Sequence, residues 1–300
     1  MNESNKRVLV TGAEGFLGKF VLHVLSHLQW NAVQFRGDLR DEKVVHSFIT
    51  ENSPYDFVIH LASISHPAEC EKNPELATAV NVGGTKNLLE ALAHLTSKPW
   101  LLFFSTAQVY VPSEFPVTET NEVAATTVYT RTKLQGEQLI EKFSKTVGIP
   151  STVFRLFNHS HHSQTNLYFL PSVYEKLKKL DVTGEVPVGN LNLVRDFSSV
   201  QDFQRNMLQF LSHARPPEPY EVLNWCSGRP YSLEKLANAL AVHLGKKVEW
   251  LQNVTIKDKS IPGKIVGDPA AFAEKVSFRV THQNEGEFIH QFLSESLLKF

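Results

Sequence analysis

The chain has 300 residues, 42% of them hydrophobic, enough for a large core and for more than one compact unit. Lysine and arginine total 30 against 31 acidic residues, a formal charge of −1. That balance excludes the basic surface of a nucleic-acid binder and a charge-rich tail.

Cys70 and Cys226 stand far apart in no metal-ligand spacing, which points to a reducing compartment with both thiols packed or idle. The start, MNESNKRVLVTG, holds too short an apolar run for a signal peptide or a membrane span. A soluble, cytoplasmic protein with no membrane partner is expected.

RVLV (Arg7 to Val10) predicts a buried strand closed by Thr11 and Gly12. Beyond that turn, Phe16, Leu17, Phe20, Val21, Val24, Leu25 and Leu28 recur at helical spacing. NAVQF (Asn31 to Phe35) predicts a second strand, and Val44, Val45, Phe48 and Ile49 a second helix. DFVIHL (Asp56 to Leu61), a long helix from Leu76 to Leu95, and WLLFFS (Trp100 to Ser105) follow. Tyr129 to Val147 reads as a helix stopped by Gly148, and STVFRL (Ser151 to Leu156) as a strand.

These strands are apolar on both faces, as buried parallel strands are. Their alternation with helices predicts an α/β, Rossmann, doubly wound parallel sheet with its ligand beyond the carboxyl ends of the strands. After Asn158 the pattern loosens. A loop FNHSHHSQTN precedes a helix near Val173 to Leu180, a strand VLNWCSG (Val222 to Gly228) and an amphipathic helix from Ser232 to Leu244. Residues 1–157 are read as the nucleotide domain, with a returning segment at about 194–227. Residues 158–193 and 228–300 are read as a smaller α/β substrate-binding domain.

VTGAEGFLG sets Gly12, Gly15 and Gly18 between the first strand and the first helix. Gly12 permits a tight turn, Gly15 lets backbone approach a diphosphate, and Gly18 lets the helix pack closely on the strand. The helix start adds free N–H groups and partial positive charge. A dinucleotide site is expected. The second strand ends at Phe35 and Arg36, and the first acid after it is Asp38. A carboxylate at the strand end holds the ribose diol of NAD, whereas an arginine matches a 2′-phosphate. The reading favours NADP(H) over NAD(H), with a solvated surface arginine as the alternative for Arg36.

VYTRTK sets Tyr129 four residues before Lys133 on a predicted helix. Four helical residues turn roughly 400°, so the two side chains share a face. A phenol has a reference pKa of about 10. An adjacent ammonium favours its ionised form, and a general acid works best with a pKa near the working pH. FFSTAQVY puts the hydroxyls of Ser105 and Thr106 at the end of the fourth strand, where the ligand crevice belongs.

TGAEGFLG, DLRD, HLAS, NVGGT, STAQVY and YTRTK together resemble the extended short-chain dehydrogenases/reductases over nearly the whole chain. The resemblance implies Thr106, Tyr129 and Lys133 as catalytic hydroxyl, acid and lysine, with Lys133 also holding the nicotinamide ribose. It implies a cofactor bordered by Gly12, Gly15, Phe16, Leu17, Leu61, Ala62 and Ser63. Asp38 and Leu39 would lie beside the adenine, and Asn81 would support the site.

VGNLNLVRDFSSVQDF, RLFNHS and NWCSGRPYS resemble GDP-6-deoxy-D-mannose reductases and the related GDP-mannose dehydratases. That resemblance puts Arg195 and Arg229 on a nucleotide diphosphate or its ribose, Asn158 near the phosphate, and Ser65 at the substrate. An ion pair between Arg195 and Asp196 is the alternative.

A 4,6-dehydratase of this group needs a carboxylate just after the catalytic hydroxyl. Here those positions are Ala107 and Gln108, and neither acts as a base. The expectation is therefore reduction of the C4 ketone of a GDP-4-keto-6-deoxy sugar, to GDP-D-rhamnose or an epimer. A 4-epimerase with tightly held NAD and a non-catalytic nucleotide-sensing subunit are the alternatives.

Where the group carries Gly-Pro-Gly, this chain reads HSHHSQTN. His159, His161 and His162 have no acid or cysteine at ligand spacing, so no metal is expected and the loop is read as lining the sugar or diphosphate. His66 is either a substrate contact or a packed side chain. The family implies a homodimer through the helices starting at Leu76 and Tyr129, whose stripes fit packing on the sheet equally well.

Overall fold

The computed structural model describes residues 5–253 and 263–294. The chain divides into two compact units. The first holds the chain up to Val111, Glu122–Leu156 and Met207–Leu223; the second holds Pro112–Asn121, Phe157–Asn206 and the described residues from Asn224 onward.

The first unit is built on alternating strands and helices: β1 (Arg7–Thr11), α1 (Phe16–His27), β2 (Asn31–Phe35), α2 (Glu42–Glu51) and β3 (Phe57–His60). Short helices α3 (Pro67–Lys72) and α4 (Pro74–Thr78) precede α5 (Gly84–Ala93), β4 (Trp100–Thr106), α6 (Val128–Val147) and β5 (Ser151–Leu156). With a later strand, β9 (Tyr220–Trp225), they form a six-stranded sheet in the order β2-β1-β3-β4-β5-β9. The pairings from β2 across to β5 are parallel. Leu9, Val58 and Leu101 lie side by side across β1, β3 and β4, all fully buried. Burying each such side chain stabilises the fold by about 1.5–3 kcal/mol. The order reverses direction at β1, with β2 on one side and β3 on the other. That is the switch point where open α/β sheets leave a crevice.

The helix expected over residues 76–95 is three pieces. Between α4 and α5 the chain makes a π-helical turn, Ala79–Gly83, that contains Asn81. The longer hydrogen-bond step there displaces side chains from the ordinary helical face. Helix α6 begins one residue before Tyr129. Its N-cap Thr127 accepts from the Thr130 backbone at 3.1 Å, and Thr130 Oγ1 accepts from the Thr127 N–H at 3.0 Å. Gly148 ends it in the left-handed conformation, φ 77°.

In the second unit, β8 (Val194–Ser199) pairs with β6 (Asn158–Ser160) and β12 (Lys264–Ile265) in parallel and with β10 (Pro230–Ser232) antiparallel. A separate parallel pair joins β7 (Thr183–Val188) to β11 (Lys247–Gln252). Leu177 of α7 (Phe169–Lys179), Leu236 and Leu240 of α9 (Leu233–His243), and Phe288 and Phe292 of a helix at Glu285–Phe292 form its core.

Asp196 of β8 is wholly buried and accepts from Ser227 N, Ser227 Oγ, Gly228 N and Gly267 N at 2.6–3.3 Å. This explains why β9 ends at Trp225 and not at Gly228: the next N–H groups turn to a carboxylate. The units also differ from the expected domain limits. Residues 194–206 stay with the second unit because β8 is its central strand. Residues 112–121 join it because Val117 bridges to Gly267. Helix α8 (Val200–His213) crosses the boundary between Asn206 and Met207. Among the described residues no helix is long and apolar enough to cross a membrane.

Burial pushes His60 down to about 3, and His159 and His282 down to about 4. Asp196 is pushed up to about 6 by the same cause. Between pH 6.5 and about 4 the unfolded chain binds protons that the three folded histidines refuse, so stability falls as pH falls. Each contributes about 1.4 kcal/mol per pH unit in that window. Asp196 opposes this below about pH 6, and Asp202, raised by burial too, adds to it, but these two face the three histidines together with His161, which burial also lowers. Urea denaturation at pH 7 and pH 5 will show a lower midpoint at pH 5; an equal or higher one would contradict the burial of these rings.

Candidate active site

The turn after β1 is shaped by two glycines. Gly12 has φ +71°, and a Cβ there would stand 2.6 Å from the Ala62 nitrogen. A Cβ on Gly18 would stand 2.3 Å from the Gly12 carbonyl oxygen. Both neighbours are backbone and cannot yield as a flexible side chain does. Gly15 caps α1 without a side chain, and its N–H closes the turn on the Gly12 carbonyl at 3.0 Å. Phe16 and Leu17, half-buried, open the helix.

Beside this turn lies an open cleft of about 280 Å³, lined by Gly12, Ala13, Glu14, Gly15, Phe35, Arg36, Gly37, Asp38, Leu39, Ala62 and Val80. The expected cofactor residues Gly12, Gly15, Arg36, Asp38, Leu39 and Ala62 are therefore together. A glycine cradle that side chains would fill, at a helix start and a switch point, fits a dinucleotide.

The rim is more compensated than its sequence implied. Arg36 Nε lies 3.7 Å from Glu14, and its Nη2 donates to Gln34 at 3.1 Å. Asp38 is gripped by Arg40 Nε at 2.9 Å and Nη2 at 2.5 Å, which holds its carboxyl down at about 2. Each acid on this rim thus has a cation beside it.

Deeper in, Thr11, His60, Thr85 and Asn81 form a chain. Thr11 Oγ1 accepts from Ala62 N at 3.3 Å, so its hydroxyl hydrogen is left for His60 Nδ1 at 2.6 Å. Thr85 donates to the Asn81 carbonyl at 2.6 Å, which leaves its oxygen to accept from His60 Nε2 at 2.9 Å. The Thr85 bond puts a proton on His60 Nε2, and burial, which pushes the ring down to about 3, leaves Nδ1 bare to accept from Thr11. The Asn81 side chain accepts from Ile64 N at 2.7 Å and donates to the Ile64 carbonyl and to Thr132 Oγ1, each at 3.0 Å. The π-helical turn thereby ties the loop after β3 to α6.

Tyr129 and Lys133 are 7% and 4% exposed, one turn apart on α6. Tyr129 packs with Ile64, Cys70, Ala77 and Val128. Lys133 Nζ donates to the Phe104 carbonyl at 2.8 Å and to Ser63 Oγ at 3.2 Å, and lies 5.1 Å from the Phe103 ring centre. Burial pushes Lys133 down to about 8, opposed by Glu137 and then Cys70. Thr106, 6% exposed, ends β4 two residues beyond the carbonyl that Lys133 holds, and its hydroxyl oxygen accepts from Gln108 N at 3.2 Å. Ser63 follows Leu61 and Ala62, and Leu61 N is bonded to the Thr11 carbonyl at 3.1 Å.

Ser65 is exposed in the first unit, while Asn158, Arg195 and Arg229 belong to the second. Asn158 Nδ2 donates to the Asp196 carbonyl at 2.8 Å. Arg195 Nη1 donates to the Val194 and Gly263 carbonyls at 2.8 and 3.3 Å, and burial pushes it down to about 10. It does not pair with Asp196, because neighbours on a strand point to opposite faces. Arg229 enters β10, whose Tyr231 sits opposite Arg195.

His159 is buried with Nδ1 at 3.0 Å from the Phe157 carbonyl. His161 reaches Ser163 Oγ at 2.7 Å and the Ser294 carbonyl at 2.8 Å. Among the described residues no three His, Cys, Asp or Glu side chains converge as metal ligands do.

Residues 8–226 match the NAD dependent epimerase/dehydratase family. The chain belongs to that family. It is 30% identical over 272 residues to a GDP-6-deoxy-D-talose 4-dehydrogenase of Aggregatibacter actinomycetemcomitans, covering 88% of this chain and 89% of that one. It is also 30% identical over 258 residues to a GDP-6-deoxy-D-mannose reductase of Pseudomonas aeruginosa, covering 83% of each. The structure of RMD from Pseudomonas aeruginosa complexed with NADPH superposes with a TM-score of 0.84 at 25% identity, over 96% of this chain and 97% of that one.

Two features of the site escaped the sequence reading. His60 looked like one more residue of a buried strand, and only its pairing with Thr11 and Thr85 reveals a relay. Glu137 stands at the next helical step after Tyr129 and Lys133, a spacing that was available to be read. Gly12→Ala will destabilise the protein by more than about 2 kcal/mol, since it joins a left-handed φ to a backbone clash. Isothermal titration with NADPH and with NADH will find neither bound to it. A variant that binds as well as the parent would remove the turn from the cofactor site.

Proposed function

We propose that the chain is an NAD(P)-dependent oxidoreductase that acts at C4 of a nucleotide-linked 6-deoxy sugar, with GDP-4-keto-6-deoxy-D-mannose and NADPH as its preferred pair. The observation that carries this reading is the union of α6 with β4. Tyr129 and Lys133 are buried one turn apart, and Lys133 is bonded two residues short of Thr106. The similarity to a GDP-6-deoxy-D-mannose reductase and to a GDP-6-deoxy-D-talose 4-dehydrogenase supports the same carbon and the same nucleotide.

The bound nicotinamide supplies a hydride acceptor or donor at C4. Tyr129 gives the C4 oxygen its proton during reduction. Lys133, charged below about pH 8, lowers the cost of the phenolate that results and holds the nicotinamide ribose. Thr106 donates a hydrogen bond to the same oxygen and fixes its position between the two. Gly12, Gly15 and the first turn of α1 receive the diphosphate, and Arg36 turns from Glu14 to a 2′-phosphate.

Asn158, Arg195 and Arg229 bind the substrate's diphosphate and nucleotide. Arg195 suits that role because its resting partners among the described residues are two carbonyls, and a carbonyl is a weaker partner than a phosphate. No carboxylate follows Thr106, where Ala107 and Gln108 stand, so the site is built for hydride transfer and not for elimination of water.

Tyr129→Phe will lower kcat by about 10²–10⁴-fold, with the NADPH dissociation constant within about twofold of the parent. The check is NADPH oxidation with the 4-keto sugar nucleotide, alongside fluorescence titration of NADPH. Stoichiometric oxidation by the parent and its loss in the variant support the reading; full turnover by the variant removes Tyr129 from the mechanism.

A further inference from the structure

Behind Lys133 lies a buried ion pair that the proposed proton transfer does not use. Glu137, one turn further along α6, is 4% exposed, and Arg155 of β5 is 7% exposed. Arg155 Nη2 reaches Glu137 Oε2 at 2.8 Å, and its Nε lies 3.3 Å from both carboxylate oxygens. Ser105 Oγ donates a short hydrogen bond to Glu137 Oε1. Arg155 Nη1 donates to Tyr110 Oη at 3.2 Å, and the guanidinium lies 4.9 Å from that ring's centre. A buried pair of this kind is often no better for stability than packed hydrocarbon. Its place in the structure calls for another account.

That place is specific. Ser105 and Arg155 are direct partners in the β4–β5 register, and Glu137 binds both. One turn earlier on the same helix, Lys133 binds the carbonyl of Phe104. Two successive turns of α6 thus hold two successive residues of β4, and the next residue is Thr106. Helix residues four apart are also neighbours in charge.

Among the described residues, the other groups around Lys133 are weaker sources of negative charge than Glu137. His60 of β3 is neutral and bonded to Thr11 and Thr85. Cys70 of α3 is pushed up by burial and stays a thiol, Glu69 and Glu71 of α3 are exposed, and Phe103 offers only a ring. Tyr129 on α6 offers a phenol, and Arg155 is a cation.

We infer that Glu137 is a positioning residue for the reaction: clamped by Arg155 and Ser105, its carboxylate keeps the buried Lys133 ammonium charged and fixes the end of β4 that presents Thr106. The inference rests on the proposed role of Tyr129 and Lys133. Burial alone drives the lysine toward its neutral form, and Glu137 is the largest opposing influence. The alkaline limit of the reaction is thereby set one helical turn away from the reacting atoms.

The test compares the parent with Glu137→Gln, which keeps the shape and the hydrogen bond to Ser105. Lys133 is followed by NMR of the ¹³C-lysine-labelled protein, its resonance assigned from Lys133→Arg, and kcat is measured across pH with the 4-keto sugar nucleotide. In Glu137→Gln the Lys133 titration and the alkaline limb of kcat will both move down by about one pH unit or more, and the acid limb will stay. At pH 8, with Lys133 at about 8 in the parent, that is about a fivefold loss of charged lysine.

Ser105→Ala keeps the charge and removes the tether. It will lower kcat without moving either titration. Where Glu137→Gln does not fold, Glu137→Gln/Arg155→Gln removes the buried cation with the anion, and a smaller shift in the same downward direction is expected because the loss of the Arg155 charge offsets part of the loss of the carboxylate. An unchanged Lys133 titration in whichever of these folds overturns the inference, and so does an equal shift in Ser105→Ala. Failure of the parent to oxidise NADPH with any 4-keto sugar nucleotide overturns the functional reading instead, and the NMR titration then still decides whether Glu137 governs Lys133.

Discussion

A cation buried at the carboxyl end of a β-sheet organises this protein. Lys133 sits in the first unit with its ammonium held by one carbonyl and one hydroxyl. Removing such a charge from water is costly, and a lysine in that position tends to lose its proton. Everything around it lessens that tendency or exploits it. Glu137 offers a negative charge, the Phe103 ring a negative face, and the Phe104 carbonyl a dipole. The result is an ammonium pushed down to about 8, one helical turn from a buried phenol.

The same position joins the layers of the first unit. Through Phe104 and Ser105, α6 is bound to β4. Through Thr132 and Asn81 it is bound to the π-helical turn, and from there through Thr85, His60 and Thr11 to the end of β1. That chain of hydrogen bonds runs from the helix that carries Tyr129 to the glycine turn. None of its members can change partners without leaving a buried polar group unpaired, at a cost of about 1–3 kcal/mol each. The network therefore fixes the distance between the two halves of the site, which catalysis by orientation requires.

The first unit was legible because its signals are local. RVLV, the three glycines, and the Tyr129–Lys133 spacing each lie within one element or one turn, and the structure places the elements within a residue or two of the reading. The helix over 76–95 misled because a π-helical turn keeps helical composition while changing the bond pattern.

Long-range pairings were not legible. Arg155 meets Glu137 across 18 residues and Ser105 meets it across 32, and neither partner is marked in its own segment except by a charge in a buried run. The second unit resisted for a different reason. Strands of two or three residues, such as β12, β10 and β6, are too short to carry a period. Arg195 and Asp196 show the converse: sequence neighbours that could be taken for an ion pair, the alternative for Arg195, are sent to opposite faces by the strand.

The most direct measurement is a crystal structure of the protein with NADPH bound. The account predicts the nicotinamide ribose hydroxyls within about 3.2 Å of Lys133 Nζ, the diphosphate on the Gly12–Gly15 turn, and the Tyr129 hydroxyl facing the open side of the nicotinamide ring. A cofactor bound elsewhere, or one whose ribose is out of reach of Lys133, would contradict it.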